Sequence, residues 1–310
     1  MERKIGQYTG QEKGTLIIAL AAMHGNEPAG IRALRDLFQL LEEEPKRNWG
    51  FNFKGRLVGL IGNIQAYERR LRYVKTDLNR HLTLENYEKA LQIPTERLIY
   101  EDLELIELLD TIRYEIDDYK PSRLIVLDLH TTSAAGGIFS IVSDDEESLR
   151  MAAELKAPVV LGMVGNTGGT TLHYFKEDNT GIPTVTIVFE AGQHEDAFSV
   201  QRTIAWLVNL LRTEGVVAPE DVESRHDIVL KNYSKNLPKI VELIDVHHIQ
   251  PHDQFLMREG FVNFQPVKKE DVLADDKNGE IKAPEDCLLL MPLYQKHGTE
   301  GFFLVKERKT

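Results

Sequence analysis

The polar stretch Met23-His24-Gly25-Asn26-Glu27-Pro28 directly follows an apolar run at 15–22, and it holds a histidine and a carboxylate three residues apart. The apolar run predicts a buried strand, and ligands of open α/β sheets bind where strands end at their carboxyl edge. Side chains three residues apart point the same way once the chain begins a helical turn. His24 and Glu27 would then supply two of the three ligands of a His₂Glu catalytic zinc site.

Two further apolar strands also end in residues that can do chemistry. The run at 123–130 ends in His130, and the run at 183–190 ends in Glu190. Asp128 lies two residues before His130 on the same strand face, where a carboxylate can orient an imidazole. Because His130 lies far along the chain from Glu27, the third ligand would come from a distant strand rather than from a local finger motif. Such a site leaves its fourth position to water.

A zinc site with a free carboxylate beside it can hydrolyse an amide. Zinc brings the pKa of a bound water to about 7, and the carboxylate can take the water's proton and deliver it to the leaving amine. The oxyanion that forms can be stabilised by zinc and a guanidinium together. A substrate carboxylate is best held by arginine, which donates two parallel hydrogen bonds. The segment 67–73 and the sequence Thr76-Asp77-Leu78-Asn79-Arg80 supply such arginines.

The elements that must position these residues alternate between strand and helix. Apolar runs predict strands at about 15–22, 55–63, 123–130, 159–163 and 183–190, and helical spacing predicts helices near 28–44, 101–119, 148–155 and 197–213. Pro45 and the turn residues at 48–50 are expected to end the first helix. This alternation predicts an α/β fold with a mostly parallel or mixed central sheet covered by helices. We predict a catalytic domain at 1–215 and a smaller β-rich domain at 216–310, where short strands separate turn-rich stretches.

Composition narrows the class of protein. The 310 residues are 42% hydrophobic and 28% charged, which is typical of a globular chain, and the net charge of −12 argues against nucleic acid or an anionic membrane as the main partner. Cys287 is the only cysteine, and the first residues lack the pattern of a signal peptide. We therefore expect a cytoplasmic protein that acts on a small molecule. The sequence leaves open whether it forms a homo-oligomer.

Four ordered motifs carry a resemblance to a known family. They are His24-Gly25-Asn26-Glu27, Asp77-Leu78-Asn79-Arg80, Asp128-Leu129-His130-Thr131-Thr132 and Glu190-Ala191-Gly192-Gln193. In type and order they resemble the motifs of the succinylglutamate desuccinylase/aspartoacylase family, a branch of the zinc carboxypeptidase-like fold. Members of this family hydrolyse the amide bonds of N-acyl amino acids, and a β-rich C-terminal domain is typical of them.

The resemblance implies a role for each matching residue. It implies one zinc ion per chain, held by three ligands: His24, Glu27 and His130. Glu190 would be the general base and acid, and Arg72 would polarise the scissile carbonyl. Asn79 and Arg80 would hold a substrate carboxylate. The implied activity is that of a metal-dependent amidohydrolase, a deacylase of N-acyl amino acids or related small carboxylates.

One part of the family pattern is missing. Aspartoacylases use a further arginine and a tyrosine shortly before the catalytic glutamate to recognise the substrate, but the stretch 172–180 contains no arginine. Tyr174 and Lys176 are the candidates there, and Tyr294 is the counterpart of a C-terminal tyrosine near the pocket. The resemblance thus implies the reaction type more directly than the substrate.

Two alternatives remain open at this point. A zinc carboxypeptidase that acts on peptide C-termini would use the same metal and the same base. A catalytically silent member would retain the fold as a metal-binding module, although a purely structural zinc site needs no base such as Glu190.

Overall fold

A computed structural model describes residues 1–308 of the chain, which contain fourteen strands and ten α-helices. The strands β1 to β14 are Lys4–Thr9, Glu12–Ala21, Lys54–Ile61, Leu124–Thr132, Phe139–Val142, Val159–Leu161, Thr184–Gln193, Ile240–His248, Leu256–Met257, Gln265–Val267, Val272–Asp276, Gly279–Lys282, Cys287–Leu290 and Glu300–Glu307. The helices α1 to α10 are Ala29–Arg47, Ile64–Arg69, Leu78–His81, Leu84–Gln92, Tyr100–Tyr119, Glu146–Glu154, Thr171–Tyr174, Glu177–Thr180, Ser199–Thr213 and Arg225–Ser234.

Eleven strands form one mixed sheet in the order β1-β3-β2-β4-β7-β5-β6-β8-β14-β13-β10. Strands β3, β2, β4 and β7 are parallel, so their carboxyl ends lie at the same edge. From β8 to β10 the sheet is antiparallel, and β12, β11 and β9 form a second, small sheet. The predicted α/β class with a smaller β-rich C-terminal region is confirmed.

The central strands are buried on both faces, because successive side chains of a strand point to opposite sides. In β2, Ile17 and Ala19 pack into the cluster that holds the apolar faces of α1 and α9, whereas Leu16 and Ile18 pack into the cluster that holds α5. Burial on both faces explains why these strands read as continuous apolar runs in the sequence. The packing fixes where each strand ends, and hence where its polar terminus lies.

The structure differs from the sequence predictions in several elements. Helix α1 continues through Pro45 to Arg47 and ends at Asn48, so Pro45 does not end it. The sequence reading missed the edge strand β1, the antiparallel strand β5 and helix α10. The sheet also continues across the predicted boundary at 215, since β6 pairs with β8. The division into two domains therefore stays a prediction. Within residues 1–308, no helix combines the length and apolar character needed to cross a membrane.

Candidate active site

The turn after β2 places His24 and Glu27. The chain leaves the strand through Ala22, whose φ of 54° is left-handed, and the Glu27 N–H donates to the His24 carbonyl at 3.1 Å. Gly25 packs directly on the backbone of α2, where a Cβ atom would lie 2.1 Å from the Ala66 carbonyl carbon. Only glycine fits this approach, and the turn aims His24 and Glu27 inward at the start of α1.

His130 faces the same point from the next strand. The Nδ1 atom of His24 lies 2.9 Å from Oε1 of Glu27, and the Nδ1 atom of His130 lies 3.2 Å from Oε2. All three side chains are buried, and one ligand atom from each lies within 4.8 Å of the others. No other group of three potential ligands this close is found among residues 1–308.

Each imidazole is oriented from behind by a carboxylate. The Nε2 atom of His24 lies 3.2 Å from Oδ1 of Asp77, and that of His130 lies 2.9 Å from Oδ2 of Asp128. An ionised carboxylate only accepts, so both Nε2 atoms donate. In the neutral rings both Nδ1 lone pairs then face the carboxylate of Glu27, an arrangement of acceptors that calls for a cation between them. The donor set, two imidazoles and one carboxylate, fits zinc.

The pKa shifts of Glu27 and His130 also indicate a site for a cation. Burial alone raises the pKa of Glu27, but His24 and His130 outweigh this effect and hold the pKa well below its usual value. Burial alone lowers the pKa of His130, but Asp128 and Glu27 raise it well above its usual value. Positive charge is therefore favoured at the place where the three ligand atoms converge.

Glu190 stands beside His130 because the two residues pair in register between the parallel strands β4 and β7. Its side chain is buried, and its Oε2 atom has no hydrogen-bond partner among the described residues. Burial, together with the charges of Glu27 and Asp128, raises the pKa of Glu190 to about 8. A carboxyl group with one oxygen free of hydrogen bonds and with a raised pKa is suited to proton transfer.

Arg72 lies in the loop between α2 and α3 and is held by acidic residues. Its Nη2 atom lies 3.1 Å from Oδ2 of Asp77, and its Nη1 atom lies 3.8 Å from Oε1 of Glu27. The loop is anchored by Glu101, a fully buried carboxylate that accepts hydrogen bonds from the backbone N–H groups of residues 74–76. The sequence reading missed Glu101, since an acidic residue in the first turn of a helix is common for other reasons.

Asn79 and Arg80 lie in the short helix α3, which Asp77 caps. The Asn79 Oδ1 atom accepts from the Thr171 N–H at 3.3 Å. The guanidinium of Arg80 donates through Nε and Nη2 to both carboxylate oxygens of Glu300, at 3.2 and 2.8 Å. Glu300 begins β14 in the C-terminal region. Nothing in the sequence near Glu300 signals this contact.

These residues line one cavity together with side chains from the C-terminal strands. The cavity is lined by all seven residues predicted as metal ligands, as catalytic groups or as the substrate-binding Asn–Arg pair: His24, Glu27, Arg72, Asn79, Arg80, His130 and Glu190. The loop between β6 and α7 borders the cavity through Met163, Thr167 and Thr170. The structure thus brings together residues from four separate sequence motifs.

Tyr174 and Tyr294 are not brought to this cavity. Tyr174 is buried in the core beside α5, lies 3.4 Å from Nη2 of Arg113 through its hydroxyl, and lines a different cavity. The Tyr294 hydroxyl accepts from the Phe261 N–H and donates to the Arg258 carbonyl, each at 2.9 Å. Neither tyrosine lines the cavity that holds the predicted metal ligands, so the structure does not bring these two predicted substrate-binding residues to the site.

Comparison with known proteins agrees with the fold and the motifs. Residues 13–211 match the succinylglutamate desuccinylase/aspartoacylase catalytic domain. The fold and the family define a hydrolase of the desuccinylase/aspartoacylase type. The chain belongs to the succinylglutamate desuccinylase/aspartoacylase family, as the resemblance of the motifs predicted.

Individual relatives extend this similarity over most of the chain. A probable aspartoacylase of Prochlorococcus marinus (strain MIT 9215) is 26% identical over 298 residues, which cover 90% of this chain and 87% of the relative. Among solved structures, a succinylglutamate desuccinylase from Vibrio cholerae has a TM-score of 0.61 at 16% identity. The matched region covers 95% of this chain and 82% of the Vibrio chain. The ectoine utilization protein EutE from Ruegeria pomeroyi has a TM-score of 0.64 at 17% identity. The matched region covers 97% of this chain and 87% of the EutE chain. At these identities the solved structures show a shared fold.

Proposed function

We propose that this protein is a zinc-dependent hydrolase that cleaves the amide bond of an N-acyl amino acid or a related small carboxylate. The observation that carries the proposal is the convergence of His24, Glu27 and His130 beside Glu190, a buried carboxylate whose Oε2 atom has no hydrogen-bond partner within residues 1–308. Membership of the family and the names of the relatives support the same reaction class.

Three ligands would hold the metal, one zinc per chain: His24, Glu27 and His130. When bound, zinc would act as a Lewis acid that activates a water molecule and polarises the amide carbonyl. Asp77 and Asp128 keep the Nδ1 lone pairs of the two histidines directed at the metal position.

The proton transfers would fall to Glu190. With its raised pKa, the ionised carboxylate is basic enough to take a proton from the attacking water. The same group, once protonated, is acidic enough to deliver that proton to the leaving amine. Burial keeps competing water away from both steps.

Two arginines would handle the negative charges of the reaction. Arg72, held by Asp77 near Glu27, would stabilise the oxyanion that develops on the amide carbonyl. Arg80 still has N–H donors that are not used by Glu300, and with Asn79 it would bind the substrate carboxylate.

A metal analysis and one substitution test the proposal. The purified protein should carry about one zinc per chain and hydrolyse N-acyl amino acids, and Glu190→Gln should keep the metal but lose roughly 10²-fold or more in kcat. Full activity in metal-free protein would end the zinc hypothesis. Release of C-terminal residues from short peptides would favour a carboxypeptidase, and zinc binding without any hydrolysis would favour a silent binding module.

A further inference from the structure

The cavity is lined by residues of unlike character. Besides the charged residues described above, neutral hydroxyl and amide side chains line it, together with a wall of aliphatic, aromatic and methionine side chains. This apolar wall consists of seven residues: Ile141, Met163, Leu172, Val188, Met291, Leu293 and Phe303. Five of these side chains are buried, and only Met291 and Leu293 are partly exposed.

The apolar wall is built by the same strands that carry the chemistry. Val188 lies two residues before Glu190 in β7, so both side chains point to the same face. Ile141 of β5 pairs with Val188, and Phe303 reaches the wall from β14. All three belong to one hydrophobic cluster that joins the two regions of the sheet. These three residues of the wall are therefore part of the core, and Val188 shares its strand face with Glu190.

Positive charge in the cavity is scarce. Among the described residues that line it, Arg72 and Arg80 are the only arginines, and there is no lysine. Arg72 is paired with Asp77, and Arg80 is paired with Glu300. Lys176, the one cation in the stretch where the family carries a further arginine, is exposed and does not line the cavity. The remaining donors of Arg80 suffice for a single substrate carboxylate.

We propose that the substrate is an N-acyl amino acid with one carboxylate, in which an apolar group, either the acyl chain or the amino-acid side chain, occupies the place of a second carboxylate. The inference rests on the proposed function and narrows its substrate class. A second carboxylate against the apolar wall would lose its hydration without gaining a cation, whereas an apolar group loses nothing by leaving water. The site would thus discriminate against dicarboxylic substrates such as the succinyl and aspartyl compounds after which its relatives are named.

A two-arm substrate panel tests this proposal and separates the two sources of the apolar group. The first arm keeps the acetyl group and compares N-acetyl-leucine, N-acetyl-methionine and N-acetyl-aspartate. The second arm keeps one amino acid and compares butyryl with succinyl. In at least one arm we expect kcat/KM to favour the apolar member by about 10- to 200-fold, the range that hydrophobic pockets reach.

A substitution in the apolar wall should shift the preference towards the dicarboxylic member. Leu293 is partly exposed and its N–H bonds to the Gly301 carbonyl, a contact that any side chain leaves intact. Leu293→Arg should raise kcat/KM for the dicarboxylic member relative to the apolar one by about tenfold or more, the effect of one charge-assisted hydrogen bond. Leu293→Gln is the matched control, since it is polar and of similar length but brings no charge, and it should leave the relative preference for a dicarboxylic acid unimproved.

The outcomes separate this inference from the proposed function. Hydrolysis that depends on Glu190 but favours the dicarboxylic member in both arms overturns the inference alone. An equal gain with Leu293→Gln also overturns it, because charge would then play no part. If no N-acyl amino acid is hydrolysed, or if Glu190→Gln is fully active, the proposed function fails and the inference fails with it.

Discussion

Asp128→Asn is expected to weaken zinc binding while leaving the shape of the site unchanged. Asp128 is fully buried, and its Oδ2 atom accepts hydrogen bonds from Nε2 of His130 at 2.9 Å and from Oγ1 of Thr171 at 2.8 Å. Asparagine fills the same volume without the charge. It also allows an amide N–H to face Nε2, which would favour the tautomer with its proton on Nδ1, the atom that must bind the metal.

The expected loss of zinc affinity follows from the role of the hydrogen bond between Asp128 and His130. Carboxylates that orient a ligating histidine are typically worth about 10- to 100-fold in metal affinity. Because each tenfold change is about 1.4 kcal/mol, the expected loss is about 1.4–2.8 kcal/mol of zinc binding free energy. A chromophoric chelator in competition with the protein measures this loss, and urea unfolding of the metal-free proteins shows whether the variant is folded.

Thr171→Val provides the matched control. It removes the second hydrogen bond to Oδ2 of Asp128 but leaves the contact with His130 in place, so zinc affinity should fall less than in Asp128→Asn. Wild-type zinc affinity in a folded Asp128→Asn variant would refute the reasoning. An equal loss in Thr171→Val would refute it as well, because the effect would then be one of packing.

Three further predictions concern proton transfer, substrate binding and the loop that carries Arg72. Without a metal, burial and the charges of Glu27 and Asp128 raise the pKa of Glu190 to about 8, and bound zinc would lower it from there. The kcat/KM of the zinc-loaded enzyme should therefore decline on an acid limb below about pH 8 as Glu190 becomes protonated. The same limb in the residual activity of Glu190→Gln would contradict the assignment. Arg80→Ala should raise KM for carboxylate substrates about tenfold or more, and Glu300→Gln should raise KM to a smaller extent. An unchanged KM in Arg80→Ala would show that Arg80 does not bind the substrate. Glu101→Gln should lower both kcat/KM and the free energy of unfolding, the latter by about 1.5–3 kcal/mol. The reason is that a neutral amide cannot accept all the hydrogen bonds from the backbone N–H groups of residues 74–76. Unchanged kinetics and unchanged stability in urea would refute the anchoring role of Glu101.

The strands that carry the site were predictable from local sequence. Strands β2, β4 and β7 are buried on both faces, so each appears as a continuous apolar run that stops at a polar group. Because parallel strands end at one edge, the sequence alone predicted that His24, His130 and Glu190 would lie near one another. The motifs also predicted the family, which the domain match confirms.

Other elements could not be predicted because long-range packing outweighs the local signal. Pro45 lacks a backbone N–H and is expected to end a helix, yet α1 continues for two more residues, with the buried residues of its preceding turns packed against the sheet. Strand β1 is short and half exposed, and it exists through its pairing with β3. In both cases the deciding contacts involve residues that are distant in sequence.

The sequence by itself determined the candidate ligands, the candidate general base and the candidate arginines, because these depend on residue type and on where an apolar run stops. Only the tertiary structure decided what surrounds them. Glu300 meets Arg80 and the apolar wall meets Glu190 because strands β8 and β14 extend the catalytic sheet from far along the chain. Reaction class is thus recorded locally in the sequence, whereas the chemistry of the substrate-binding cavity arises from contacts between segments that no local pattern connects.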